Sequence, residues 1–211
     1  MTDRRSRRRT LATLGALAAA RLTNAVAQPR AALAATPRDA EGPFYPREIP
    51  VDADADLTRV AGRTGTPRGT PLLLSGRVLA TDGTALGDTR IELWQCDAGG
   101  YYHHVGGDPA QLDPNFQGYG VMVTDAQGRF AFRTIRPVAY GGRPPHLHFK
   151  LAHGKARALT TQIYPQGESE ERGMGWGTSS AGTRSRLVFT PTPGPEAGTL
   201  KASYDFVLVL A

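Results

Sequence analysis

Thr124-Asp125-Ala126-Gln127-Gly128-Arg129-Phe130-Ala131-Phe132-Arg133-Thr134 decides the fold class of this chain. Asp125 to Gly128 is a polar turn that ends in glycine. Phe130 and Phe132 then alternate with polar or small residues, which places both rings on one face of an extended strand. Upstream, 120–124 reads as a second strand, so the two segments are expected to form a hairpin around the turn. The same pattern recurs along the chain. Strands are expected at 72–80, ending at Asp82-Gly83, and at 89–95, with Ile91, Leu93 and Gln95 on one face and Glu92 and Trp94 on the other. Others are expected at 145–151, 159–164, 185–190 and 203–210. Short strands, Gly/Pro turns and no convincing helical period argue for an all-β protein built as a β-sandwich.

The 211 residues suit one domain. Residues 1–27 are of another kind. Arg4, Arg5, Arg7, Arg8 and Arg9 precede a small-residue apolar run over 11–20, and Ala25-Val26-Ala27 offers a small-x-small cleavage site. This reads as a signal peptide, too weakly apolar to span a membrane, and the paired arginines suggest the twin-arginine route to the periplasm or outside. The whole chain carries 25 Lys and Arg against 19 Asp and Glu, a net +6. Removing the six arginines and the one aspartate of residues 1–27 leaves 19 basic and 18 acidic residues. The mature protein is thus near neutral, which gives no support for nucleic acid as a partner; no membrane role is expected of the mature form. Residues 28–71 read as a flexible N-terminal arm and 72–211 as the β-sandwich domain. The single cysteine, Cys96, cannot form an internal disulfide. It reads as a buried small hydrophobe beside Trp94, with a cross-link between two chains as the other possibility.

Chemistry concentrates in two segments. Tyr140-Gly141-Gly142-Arg143-Pro144-Pro145-His146-Leu147-His148 places a His-x-His pair so that both imidazoles point one way from a strand while Leu147 turns to the core. Tyr140 precedes it on a Gly-Gly hinge. Imidazole with phenolate suits a hard, highly charged ion. The second segment, Trp94 to His104, leaves a strand through a glycine turn and presents Tyr101, Tyr102, His103 and His104.

With further pieces these segments resemble the intradiol ring-cleavage dioxygenases, the group of protocatechuate 3,4-dioxygenase and catechol 1,2-dioxygenase. The pieces are Glu41-Gly42-Pro43-Phe44-Tyr45, Trp94-Gln95 with Gly100 and Tyr102, and Leu112-Asp113-Pro114-Asn115-Phe116. The segment quoted at the outset, with Ile135 and Pro137, comes next. Arg143-Pro144, His146, His148-Phe149 and Thr161-Gln162 with Tyr164 complete the series. The resemblance runs from Asp39 to about Gly167 and implies a transthyretin-like sandwich. It also implies a non-haem Fe(3+) centre held by Tyr102, Tyr140, His146 and His148. Arg143 would stabilise charge on the ring, Gln162 would lie near the substrate, and Tyr140 would be displaced and accept a proton. The implied reaction uses O2 to cleave a catechol between its two hydroxyl-bearing carbons, giving a cis,cis-muconate-type diacid. A homo-oligomer is expected, with room for a second subunit to complete the pocket.

Tyr140 and Arg143 are separated by two glycines, where familiar members of the family have a longer insertion. This implies a more open pocket, suited to bulkier catechols. Two other readings follow from the residues: a non-catalytic transthyretin-like binding module, and an exported copper or zinc protein using His103, His104, His146 and His148.

Overall fold

The computed structural model describes residues 31–103, 105, 108–154, 159–167 and 181–210. The expected signal peptide, its cleavage site and His104 lie outside these residues. Among the described residues ten strands occur in the order β1 (Pro71–Ala80), β2 (Arg90–Trp94), β3 (Tyr119–Val123), β4 (Arg129–Ile135), β5 (Leu147–Ala152), β6 (Leu159–Pro165), β7 (Val188–Phe189), β8 (Thr192–Pro193), β9 (Leu200–Ser203) and β10 (Phe206–Leu208). One helical turn, α1 (Ala181–Arg184), precedes β7. The protein is an all-β sandwich of two five-stranded sheets.

In the first sheet β1 is central. It pairs antiparallel with β4 along one side, and parallel with β9 and then β10 along the other. The second sheet has the order β3-β2-β5-β6-β7. The expected hairpin is therefore not formed. Asp125 to Gly128 does make the turn, closed by Gly128 N–H donating to the Asp125 carbonyl at 2.8 Å. However, β3 pairs with β2 and β4 with β1, so the turn carries the chain between sheets. The two faces explain this. Phe130 and Phe132 fill one side of the main core from the first sheet, while Ile91, Leu93, Leu147 and Phe149 fill it from the second. Aligned inward faces of this kind are joined by a corner more readily than by a ladder.

Period-two alternation gives the second sheet a second buried layer. Ile91, Leu93, Leu147, Phe149 and Ile163 face the main core. The alternate residues Trp94 and Tyr119 form a separate cluster with Cys96 and Tyr102, flanked by Phe44, Tyr45 and Tyr140. Cys96 is buried there and free, and burial pushes its thiol up to about 12. It fills space as a small hydrophobe, and the cross-link to another chain is closed to it.

The segment read as an arm is described from residue 31 and is tied to both sheets. Leu57 is fully buried. Its N–H donates to the Arg133 carbonyl of β4 at 2.8 Å, and its carbonyl accepts from Gln117 N–H at 2.9 Å. Val121 N–H of β3 reaches the Asp54 carbonyl at 3.2 Å. Residues 54–57 thus close the gap between two sheet edges, which would otherwise expose unpaired backbone groups. Residues 33–42 do the same elsewhere. Thr36 bonds Val207 of β10, and Asp39 N–H bonds the Thr160 carbonyl of β6 at 3.1 Å. This strap ends at the second buried layer.

Candidate active site

Four side chains converge on the second layer. Tyr102 Oη and Tyr140 Oη are 3.2 Å apart, Tyr140 Oη and His146 Nε2 are 3.3 Å apart, and His146 Nε2 and His148 Nε2 are 3.0 Å apart. Each is delivered by a local reason. Pro144-Pro145 is held extended by two fixed φ angles and leads His146 straight into β5. Leu147 is fully buried in the main core, so the alternation turns both imidazoles to the opposite face. Tyr140 sits at the start of a two-residue turn. Gly141 and Gly142 have φ of 52° and 79°, and Arg143 N–H donates to the Tyr140 carbonyl at 2.7 Å. Positive φ at both central positions marks a primed hairpin turn, for which glycine is suited.

Tyr102 leaves a loop organised by Asp97. The Asp97 carboxylate is fully buried and accepts from the N–H groups of Gly99, Tyr101 and Asp113 at 2.8, 3.1 and 2.9 Å. Burial alone would raise its pKa. The bonds from His103 and these amides overcome that and hold it down at about 2. His103 Nε2 lies 3.4 Å from Asp97 Oδ2, and its ring packs edge-on to Phe116. It faces the loop and lies outside the four-donor cluster. His153 Nδ1 lies 3.0 Å from Thr89 Oγ1 and is not part of the cluster. Among the described residues no three His, Cys, Asp or Glu side chains come together as a metal site. The candidate metal centre is instead the mixed set of two phenols and two imidazoles.

Aromatic rings wall this set. Phe44 stacks on Tyr102 with centroids 4.4 Å apart, and Trp94 stacks on His148 at 4.8 Å. Gly42, at φ 73°, brings the strap so close that a Cβ there would lie 3.2 Å from His148 Cε1. Burial depresses both histidines, reinforced at His146 by the positive charge of Arg143. His146 falls to about 3, and His148 lies well below the usual imidazole range. His146 is oriented by Nδ1 donating to the Pro144 carbonyl at 2.7 Å, which leaves Nε2 with its lone pair toward the cluster. Burial raises Tyr102 far above the usual phenol value and raises Tyr140 as well, the latter opposed by its bond from Tyr102 and by Arg143.

These donors suit a small, highly charged cation. Donor atoms held 3.0–3.3 Å from their neighbours are close enough together to hold one small cation between them. Two phenolates would also offset most of the charge of a trivalent ion in a poorly solvated pocket. Gln162, which lies opposite His148 across the β5–β6 ladder, is fully buried. Its Oε1 accepts from Arg143 Nη2 at 2.7 Å. All six residues expected at the site are therefore brought to one layer. Sequence reasoning missed the supporting residues. Asp97 and Asp39 were visible as aspartates beside turns, but their spacing gave no sign of what they hold.

The family model described as "Dioxygenase" matches residues 40–211. The chain belongs to the intradiol dioxygenase family. The protocatechuate 3,4-dioxygenase beta chain of Burkholderia cepacia is 41% identical over 140 residues, covering 62% of this chain and 60% of that protein. Catechol 1,2-dioxygenase 1 of Acinetobacter lwoffii is 30% identical over 191 residues, covering 78% of this chain and 55% of that one. The chain thus spans little more than half the length of these curated relatives. Among solved structures, the dioxygenase domain of a dioxygenase–carbohydrate-binding fusion from Streptomyces sp. SirexAA-E matches with a TM-score of 0.66 at 30% identity. That match covers 84% of this chain and 100% of that domain.

Proposed function

We propose that this protein is an exported ring-cleavage dioxygenase that acts on a catechol, with Fe(3+) held by Tyr102, Tyr140, His146 and His148. The observation that carries the reading is the convergence of two phenol oxygens and two imidazole nitrogens within 3.0–3.3 Å of their neighbours. When bound, ferric iron supplies Lewis acidity and a template for the two catechol oxygens, and makes the ring reactive toward O2. The chain's own residues do the rest. The raised phenol pKa values keep Tyr102 and Tyr140 protonated in the metal-free chain, so loading releases protons. Tyr140 is the less buried of the two and sits on the short turn. Its Oη is therefore the site suited to accept a catechol proton. The guanidinium of Arg143 is held by Gln162 at the edge of the cluster, where a fixed cation favours negative charge developing on the ring. Phe44 and Trp94 exclude water from the donor atoms. The product is a cis,cis-muconate-type diacid.

The arginine-rich start and small-residue run of residues 1–27 support export, and the paired arginines support the twin-arginine route. Likeness to a beta chain supports an assembly of more than one chain, which sedimentation of the purified protein measures. Two measurements test the function. The iron-loaded protein should show a visible tyrosinate charge-transfer band, lost on chelation. It should also consume O2 with a panel of catechols, including bulky ring-substituted ones, and give muconate-type products. Tyr102→Phe and His148→Ala should each lose iron or colour, while His153→Ala should keep both. Unchanged iron content in both ligand variants would refute the assignment.

A further inference from the structure

The strap and β6 build a polar clamp behind Gln162 that the reaction chemistry above does not use. Gln162 Nε2 donates to the Ala40 carbonyl at 2.5 Å, and its Oε1 accepts from Arg143. The amide has one workable orientation. A flip would set its NH2 against the guanidinium N–H and its oxygen against a carbonyl. Tyr164 Oη lies 3.1 Å from that same Oε1 and 3.0 Å from Asp39 Oδ2. Asp39 is buried, and its Oδ1 accepts from Ala40 N–H at 2.7 Å. One carboxylate thus ties the strap at Ala40 to the phenol of Tyr164, whose single hydroxyl proton is shared between Asp39 Oδ2 and Gln162 Oε1, while the Ala40 carbonyl holds the other end of the amide. Thr161 Oγ1 donating to the Pro37 carbonyl at 2.7 Å pins the strap beside the same strand.

We infer that Asp39 and Tyr164 are positioning residues: they fix the Gln162 amide and, through it, the direction in which Arg143 points its guanidinium over the donor cluster. The inference deepens the proposed function and rests on it for its kinetic arm. The physical reason is entropy and geometry. An arginine head group has several rotamers, and a displaced cation loses much of its effect on a developing charge. A buried glutamine with both ends satisfied offers the guanidinium a single partner position.

The test has two arms. In crystal structures of Tyr164→Phe and Asp39→Ala, the Gln162 amide should turn or shift and the Arg143–Gln162 contact should open beyond about 3.5 Å. Retention of the wild-type contact in both overturns the inference, whatever the enzyme does. In the iron-loaded protein with a catechol it accepts, each variant should lower kcat about tenfold while KM changes little. Each should add no further loss in a Gln162→Ala background, as expected for residues that act as a unit. Asp39→Asn keeps an acceptor for Ala40 and meets the Tyr164 oxygen with its amide, so it should recover at least half of the wild-type kcat. Losses that add fully to Gln162→Ala, with lowered thermal stability and no recovery by Asp39→Asn, identify a general structural role and overturn the inference. A wild-type protein inert to every catechol defeats the proposed function and leaves the crystallographic arm to judge the clamp.

Discussion

At the residue scale, the site depends on groups whose ionisation the fold forces away from ordinary values. Asp97 gives a clean case because it lies apart from the four donors. Its carboxyl is held at about 2 by the bonds from His103 and three backbone amides, which outweigh its burial. A depressed folded value means that the unfolded chain binds more protons at low pH. The stabilisation is therefore complete above the ordinary carboxylate pKa near 4 and is lost as pH falls toward 2. The difference in urea-unfolding stability between wild type and Asp97→Asn should shrink by about 2 kcal/mol between pH 6 and pH 2. A constant difference across that range would show that the carboxylate charge is not what the loop uses. In the sequence, Tyr102, Tyr140, His146 and His148 stood out because uncommon residue types were crowded together in a recognisable order. Asp97 and Asp39 did not, since an aspartate that collects backbone N–H groups looks the same on paper as one that faces water.

At the element scale, much was legible from period two. The alternation of 89–95 separated Ile91 and Leu93 from Trp94, and the structure assigns the first two to the main core and the third to the site layer. Pairing partners were not legible. A polar turn ending in glycine between two apolar runs signals a reversal, but it does not say whether the second strand pairs with the first or enters the facing sheet. Here inward-facing aromatics on β4 decide for the second outcome. The turn from Tyr140 to Arg143 makes a further expectation concrete. A side chain at Gly141 would meet open space, so only its φ of 52° matters. Gly141→Asn should be nearly neutral, because asparagine tolerates the left-handed region. Gly141→Val should cost about 1–2 kcal/mol in chemical denaturation, because β-branching does not. Equal stability of the two variants would show that the turn relaxes to a different conformation.

At the scale of the whole molecule, the site is the meeting point of the sandwich and the segment that precedes it. The strap crosses from β10 in the first sheet to β6 in the second and ends with Gly42 against His148 and Phe44 on Tyr102. Reading 28–71 as a flexible arm from its Ala, Pro and Gly content could not reveal this, because edge-covering segments bond through backbone groups that every residue carries. Under the proposed export, cleavage after Ala27 would leave the whole strap on the mature chain. A cut thirteen or more residues later removes the contacts of Thr36, Pro37, Asp39 and Ala40. A protein that begins at residue 31 should match the mature protein in thermal stability and iron retention. One that begins at residue 43 loses at least three hydrogen bonds to β6 and β10, and its Tm should fall by roughly 6–12 °C. Its charge-transfer band should weaken, because Gly42 and the strap no longer press on His148. If that shorter chain kept both its Tm and its colour, the strap would be no more than a cover for sheet edges, and the site would be a property of the sandwich alone.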